Sequence, residues 1–527
     1  MIALPWPSGF LVRMPLKFST RVSPEKAKLH RLSLASLTLL MIVPFWLNEY
    51  VPLLDLPAHL ARVHVQHEYA RNSFFQEVLQ YTGQPVPNFA LDLFAYLLPK
   101  GIDWRWIPKL FLSLYVVIFV FSGHRYYMAT RGCASWLSLA LPFFSYQSTL
   151  LNGYVNFLFA QAIFVFAFCC WLEWHEDWTW WRLILASALT CLCLISHVTA
   201  LFFLGVATAT AWLIDSLRTR HFSARSLIGF LPLLTGALFY FSMRSTGGTA
   251  ALGAFEWGPL WRKLVSLGAF TLSYNYRIDA VHIVMLLAAA TLLLAARPSC
   301  SMHRLSGWLA ICFLLLCLVF PAAFLGGTSA DQRFAPLALL FAWMSFDLEM
   351  DARWAAWAAS LFLGAYLLRT ASIGMHWQYM NEETARQLTA LDHLPERSRF
   401  FAFDFTPVDR QREKVWRSVA HVPSYVLLRR QAIAESFLDY HAPSRNNVFP
   451  RQPRIHPLDM NSALLGDAQI SPEGVLPYLE KRLTRFSWAW VCHADAQQSQ
   501  FFLDRGVVVS SAPPCVLYHL SPKRGLN

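Results

Sequence analysis

Asn48-Glu49-Tyr50-Val51-Pro52-Leu53-Leu54-Asp55-Leu56-Pro57-Ala58-His59-Leu60-Ala61-Arg62 follows directly on the first long apolar run of the chain, Leu32 to Leu47. Pro57, just after Asp55, predicts the first turn of a helix with Asp55 near its N-cap. On that helix His59 and Arg62 lie one and two turns beyond Asp55, on roughly the same side. The stretch therefore gathers two carboxylates, a histidine and an arginine at a water–lipid boundary.

Composition supports that setting. The 527 residues are 56% hydrophobic and only 14% charged, which points to a polytopic membrane protein. The net charge of +12 does not indicate nucleic acid as a partner, because the basic residues are scattered through short segments between apolar runs, where the positive-inside rule places them. The ten cysteines form no pair of CxxC motifs, and Cys191 and Cys193 read as buried thiols in an apolar run. Arg13, Lys17, Arg21, Lys26, Lys28 and Arg31 precede the first apolar run. Pro44-Phe45-Trp46-Leu47-Asn48 offers no small-residue cleavage site after it. The run is thus expected to stay as a first span, with the basic segment 1–31 in the cytoplasm.

Candidate spans of sufficient length and apolarity fall at 32–47, 106–123, 133–151, 154–172, 182–196, 198–214, 227–243, 280–296, 305–325, 334–348 and 354–373, about eleven in all. The stretch 182–214 is too long for one upright span and short for two. Arg182 before it and Arg218, Arg220 and Arg225 after it should be cytoplasmic, so two crossings are expected with Ser196-His197-Val198-Thr199 at the far turn. An odd total sends the C-terminus out. The outer side then holds the first loop (48–105), the turn Asn152-Gly153-Tyr154-Val155-Asn156, the His197 turn, the loop 244–279 and Gly326-Gly327-Thr328-Ser329-Ala330-Asp331-Gln332-Arg333. Apart from His197 these spans carry almost no ionisable side chains, a pattern that favours surface chemistry over transport.

The organisation expected is a membrane domain over 32–373 and, from 374 to 527, a small soluble α/β domain outside the membrane. Strands are expected at 398–405, 486–493, 506–510 and 515–520, and helices at 409–420, 472–483 and 497–505. In an oxidising compartment Cys492 and Cys515 can pair across neighbouring strands, in a loop worth about 3 kcal/mol; two buried thiols are the equal alternative. His376, His421, His441, His456 and His493 have no ligand-like spacing and read as surface or core histidines.

Asp55 is the first candidate for chemistry, as a general base toward an acceptor hydroxyl or amine. Its competing reading is an ordinary N-cap worth about 1 kcal/mol. Glu49 is the second acid, with a solvated interfacial residue as its alternative. Arg62 suits a phosphate, and His59 can donate to a phosphate or hold Asp55. His59, His64 and His67 lack the spacing of a helical zinc motif and no HExxH occurs, so no metal is assigned. Asp331 and Arg333, at the entrance to a span, read equally as snorkelling anchors or as a phosphate site with the acid steering the arginine. His197 is best accommodated facing a polar cavity. Arg277, with its basic neighbours, gives the 244–279 loop an anion-holding surface.

The layout resembles the GT-C superfamily of integral-membrane glycosyltransferases, and Asp55-Leu56-Pro57-Ala58-His59-Leu60-Ala61-Arg62 is similar to the acidic motif opening the first outer loop in bacterial members. That resemblance implies a catalytic base at Asp55, with Glu49 as the auxiliary acid. It also implies a polyprenyl-phosphate sugar donor whose phosphate is held by Arg333, Arg62 and Arg277, with inversion at the anomeric carbon. His59, His197 and Asp331 become supporting polar groups. Leu56 stands where relatives often carry a second acid, so the cofactor stays unassigned, with Glu49 or Asp331 as the nearby acids for a divalent metal. Membrane lipids and an unidentified glycan, lipid or protein acceptor complete the expected partners. The expected setting is a bacterial inner membrane with the C-terminal domain in the periplasm. The alternatives are a transporter or flippase of lipid-linked sugars, or a non-catalytic membrane scaffold.

Overall fold

The computed structural model describes residues 24–83, 86–99, 101–132, 136–220, 227–246, 256–269, 273–295, 299–323, 330–349, 352–405, 421–434, 448–450, 476, 479–480 and 483–521. The helix expected over 409–420, and most of the one over 472–483, lie outside these residues. The chain is mostly helical, with a small sheet near the C-terminus.

Helix α1 (Pro24–Trp46) leads into the long loop over 48–105, which is itself folded: α2 (Leu56–Glu68), α3 (Ser73–Val78), strand β1 (Leu79–Tyr81) and α4 (Ala90–Leu97). Then come α5 (Trp106–Arg131), the short turns α6 (Leu141–Phe144) and α7 (Ser148–Leu151), α8 (Val155–Trp174), α9 (Trp180–Ser196) and α10 (Val198–Thr219). After these follow α11 (Leu231–Thr246), α12 (Leu260–Ala269), α13 (Tyr276–Ala295), β2 (Ser299–Met302), α14 (Arg304–Val319), α15 (Ala335–Ser345) and β3 (Phe346–Glu349). Five helices among the described residues are long and apolar enough to cross a membrane, and α9, α11 and α14 are shorter apolar helices. Helix α8 is apolar all round and buried along most of its length, the signature of a helix at the centre of a bundle. Exposed Leu39, Val117, Phe121, Ile184, Leu238 and Phe241 give outer helices the apolar flank that lipid requires.

The expected span over 133–151 is corrected. Residues 136–151 form a 3₁₀ turn (Trp136–Ala140) followed by α6 and α7, with no continuous helix. Pro142 lacks an amide proton and clashes with a preceding carbonyl, and backbone freed inside a bundle needs internal partners. Tyr115 donates its hydroxyl to the Ser145 carbonyl at 3.0 Å and Arg369 donates Nη1 to the Tyr146 carbonyl at 2.8 Å. Arg369 is only 2% exposed, so the expectation that ionisable groups avoid the spans is corrected too; this cation seals a broken backbone. The question over 182–214 resolves as two helices that meet at His197.

Helix α16 (Ala352–Leu391) has 40 residues, roughly 60 Å at 1.5 Å per residue, so it passes straight through position 374 into the C-terminal part. There β4 (Arg399–Asp404), α17 (Ser424–Arg430), β5 (Ile433–Ala434), β6 (Val448–Pro450), β7 (Trp488–Cys492), α18 (Ala496–Leu503), β8 (Gly506–Ala512) and β9 (Cys515–Leu520) follow. The sheet order is β5-β4-β7-β9-β8, parallel through β7 and antiparallel beyond it. All four expected strands are present. Alternating apolar residues on β4 and β7 serve two packings: Phe401, Phe403, Ala489 and Val491 face α18, while Phe400 and Trp490 join the main core.

Cys492 and Cys515 are paired across β7 and β9 and joined by a disulfide, at a sequence separation of 23. Closing such a loop is worth about 3 kcal/mol by chain entropy. A Cys492→Ser/Cys515→Ser variant is expected to lose the redox-dependent shift in gel mobility and to melt at lower temperature. An unchanged melt would remove the bond from the stability of this domain.

Candidate functional site

Asp55 occupies the position before α2, yet its side chain makes no capping bond to the helix. Its Oδ1 instead lies 3.6 Å from Nε2 of His421, just ahead of α17. The Asp55 backbone is clamped by the turn between α7 and α8: Leu54 N donates to the Leu151 carbonyl at 3.3 Å and Asp55 N to the Asn152 carbonyl at 3.2 Å. Gly153 closes that turn at φ +77, and a Cβ on it would stand 2.5 Å from the Asp55 nitrogen. Both the left-handed backbone and the close approach demand glycine. Gly153→Ala is expected to lower activity at least about tenfold, by displacing the acid from its working geometry. Activity equal to the native protein would show that the clamp does not set the position of Asp55.

The same turn reaches the cations. The Arg333 guanidinium lies 5.4 Å from the centroid of the Tyr154 ring and 5.5 Å from that of Phe157, and its Nη1 is 2.9 Å from Nε2 of His197. A guanidinium only donates, so Nε2 accepts, while Nδ1 lies 2.9 Å from the Thr199 hydroxyl and 3.3 Å from the Thr199 backbone nitrogen. His197 is therefore neutral: burial chiefly, then Arg333 and His59, holds its pKa well below the ordinary value. His59 is also depressed, by burial first and then by Arg62 and His421. Burial pushes His421 down to about 4. Between that value and the ordinary histidine range the unfolded chain binds protons that the folded chain does not, so stability falls as pH drops through this window.

Asp331 is buried in the Asp331–Arg333 3₁₀ turn, where its Oδ1 accepts from Gln332 N at 2.9 Å. It shapes the turn that presents Arg333. Asn156, buried at the other end of the Asn152–Asn156 turn, accepts from Leu91 N at 2.7 Å and donates to the Asn88 carbonyl at 2.9 Å. One five-residue turn thus holds Asp55, carries Arg333 over its tyrosine and anchors α4.

Three sequence candidates lie apart from this group. Arg62 is 5% exposed and grips Asp92 with Nε, at 2.8 Å, and Nη2, while Nη2 also donates to the Asn88 carbonyl at 3.0 Å. Its fork thus locks α2 to α4. Glu49 forms an exposed ion pair with Arg105 at 3.0 Å. Arg277 is exposed at the head of α13, beside the Tyr276 hydroxyl at 3.3 Å. His421, read from spacing as a surface or core histidine, instead belongs to the site. No local signal identifies it, because its partner is brought from the opposite end of the chain. Asp92, the other omission, stands in an apolar segment, Ala90-Leu91-Asp92-Leu93-Phe94, where a lone acid is itself the signal of a buried partner.

No protein-family model and no curated protein matches the chain. Among solved structures it is similar to the crystal structure of ArnT from Cupriavidus metallidurans in the apo state, with a TM-score of 0.51 at 10% identity, over 95% of this chain and 99% of that one. Identity that low speaks for the fold, and the match runs along nearly the whole of both chains. With a folded loop after α1, a bundle centred on α8 and a C-terminal sheet beyond the last long helix, this chain shares the overall fold of that ArnT structure.

Proposed function

We propose that the protein is an inner-membrane glycosyltransferase that moves a sugar from a polyprenyl-phosphate donor to an acceptor hydroxyl or amine on the periplasmic side. The observation that carries this reading is the Asn152–Asn156 turn, which holds Asp55 by its backbone nitrogen and sets Tyr154 under the cation of Arg333, at one corner of the fold. In the reaction the acceptor oxygen or nitrogen attacks the anomeric carbon, the bond from that carbon to the phosphate oxygen breaks, and the acceptor proton passes to Asp55. Arg333 stabilises the charge that gathers on the departing phosphate. His197, neutral and accepting from Arg333, fixes the guanidinium without adding a second charge. Displacement from the face opposite the phosphate inverts the anomeric carbon.

Arg333→Gln tests the cationic half. Binding of decaprenyl phosphate to the purified full-length protein is expected to weaken by about tenfold or more, in line with loss of a charge-assisted contact. A flippase would move labelled polyprenyl-phosphate sugar between leaflets and leave it intact. Incubation with native membrane lipids that yields free polyprenyl phosphate supports the transferase, and donor recovered whole from every acceptor preparation overturns it.

A further inference from the structure

We infer that His421, delivered by the C-terminal part of the chain, is a positioning residue for Asp55, its imidazole holding the Oδ1 edge of the carboxylate. This rests on the reading of Asp55 as the base and adds to it a role for the exported domain. Facing a carboxylate, which only accepts, Nε2 of His421 must carry the ring proton. The 3.6 Å separation closes to a hydrogen bond with a small side-chain rotation. The two side chains are 18% and 17% exposed, largely shielded from bulk water.

The surroundings fix His421 relative to α2. Strand β1 of the first outer loop pairs with β6, residue Leu79 opposite Pro450 and Tyr81 opposite Val448. Asn72 donates to the Gln431 side chain at 3.1 Å, and Tyr50 N donates to Asn381 Oδ1 at 2.8 Å. Tyr425, one turn beyond His421, stacks edge-on against Tyr50 and lies against Trp104. The domain is stitched to the loop that carries the acid at several points around it, and His421 sits at the seam.

Its charge state suits the task. The titratable group coupled to His421 is His59 on α2, which in turn feels Arg62 and His197, and Tyr425 on α17 lies against Tyr50. Among them His421 is neutral at physiological pH. A cation at 3.6 Å would hold Asp55 ionised and blunt its basicity, whereas a neutral N–H orients the carboxylate and leaves it able to take a proton.

The test reads Asp55 directly. Dicyclohexylcarbodiimide reacts with protonated carboxyl groups, so its labelling of the Asp55 peptide, followed by mass spectrometry against pH in the full-length protein, gives the midpoint of that acid. In His421→Asn, whose amide is too short to reach, the midpoint is expected to rise by about one pH unit. In His421→Gln, whose amide nitrogen reaches the place of Nε2, it returns to within about 0.3 unit of the native value. Transfer by His421→Asn falls about tenfold in kcat, with KM for the donor unchanged. His421→Leu repeats the measurement with apolar packing retained, should the asparagine variant fail to fold. A midpoint that does not move in either His421→Asn or His421→Leu overturns the inference. If Asp55→Asn leaves transfer intact while the midpoint does shift, the base assignment fails and the contact survives; if Asp55→Asn abolishes transfer and the midpoint stays, only the role of His421 falls.

Discussion

Asp55→Asn is expected to reduce sugar transfer by about 10²–10⁴-fold, the usual contribution of a positioned general base, while decaprenyl phosphate binds as tightly as before. The substitution keeps the shape of the side chain and removes its capacity to take a proton. Two structural facts make the result diagnostic. The carboxylate makes no capping bond to α2, so the variant loses no helix stabilisation, and the clamp on this residue runs through its backbone nitrogen, which asparagine shares. Had Asp55 been an ordinary N-cap, asparagine would serve as well and turnover would not change. A loss of about 10³, or about 4 kcal/mol of barrier, lies far outside that reading. The control is the thermal midpoint: unchanged folding with lost turnover places the defect in the chemistry, whereas turnover within twofold of the native protein removes Asp55 from the mechanism.

How much of this was legible beforehand depends on the range of the interaction concerned. Hydropathy located α1, α5, α8, α10 and α16 because a span is a local property of about twenty residues. The charge argument over 182–214 found the break at His197 for the same reason: flanking arginines lie nearby in sequence. The run 133–151 misled because its apolarity is continuous while the features that bend it are distant. Pro142 begins the break, but the tyrosine and arginine that satisfy the opened backbone come from α5 and α16. The site divides along the same line. Asp55, His59, His197 and Arg333 were visible as polar residues at span ends, where they are costly without a purpose. What sequence could not supply was the pairing: it placed Arg62 beside a phosphate, when its partner is Asp92, and set His421 aside.

Arg62→Met carries the second large effect, and it falls on stability. Asp92 is 0% exposed, and Arg62 is the cation bridged to its carboxylate; Gln66 adds a neutral donor at 2.8 Å. Removing the arginine leaves a buried charge uncompensated, which costs about 3–5 kcal/mol, a large share of the stability of an ordinary domain. The Asn88 carbonyl loses a donor as well, although Asn156 still reaches it. The expected result is a protein that melts many degrees lower in detergent or fails to accumulate in the membrane. Arg62→Met/Asp92→Leu takes both charges away together, and because two well-packed apolar side chains can replace a buried pair at little cost, it is expected to recover most of the loss. A phosphate-binding role for Arg62 makes the opposite forecast: decaprenyl phosphate affinity falls in the single variant at an unchanged melting temperature, and the second substitution restores nothing. The double variant therefore decides between lock and ligand, since only a lock is mended by removing its other half.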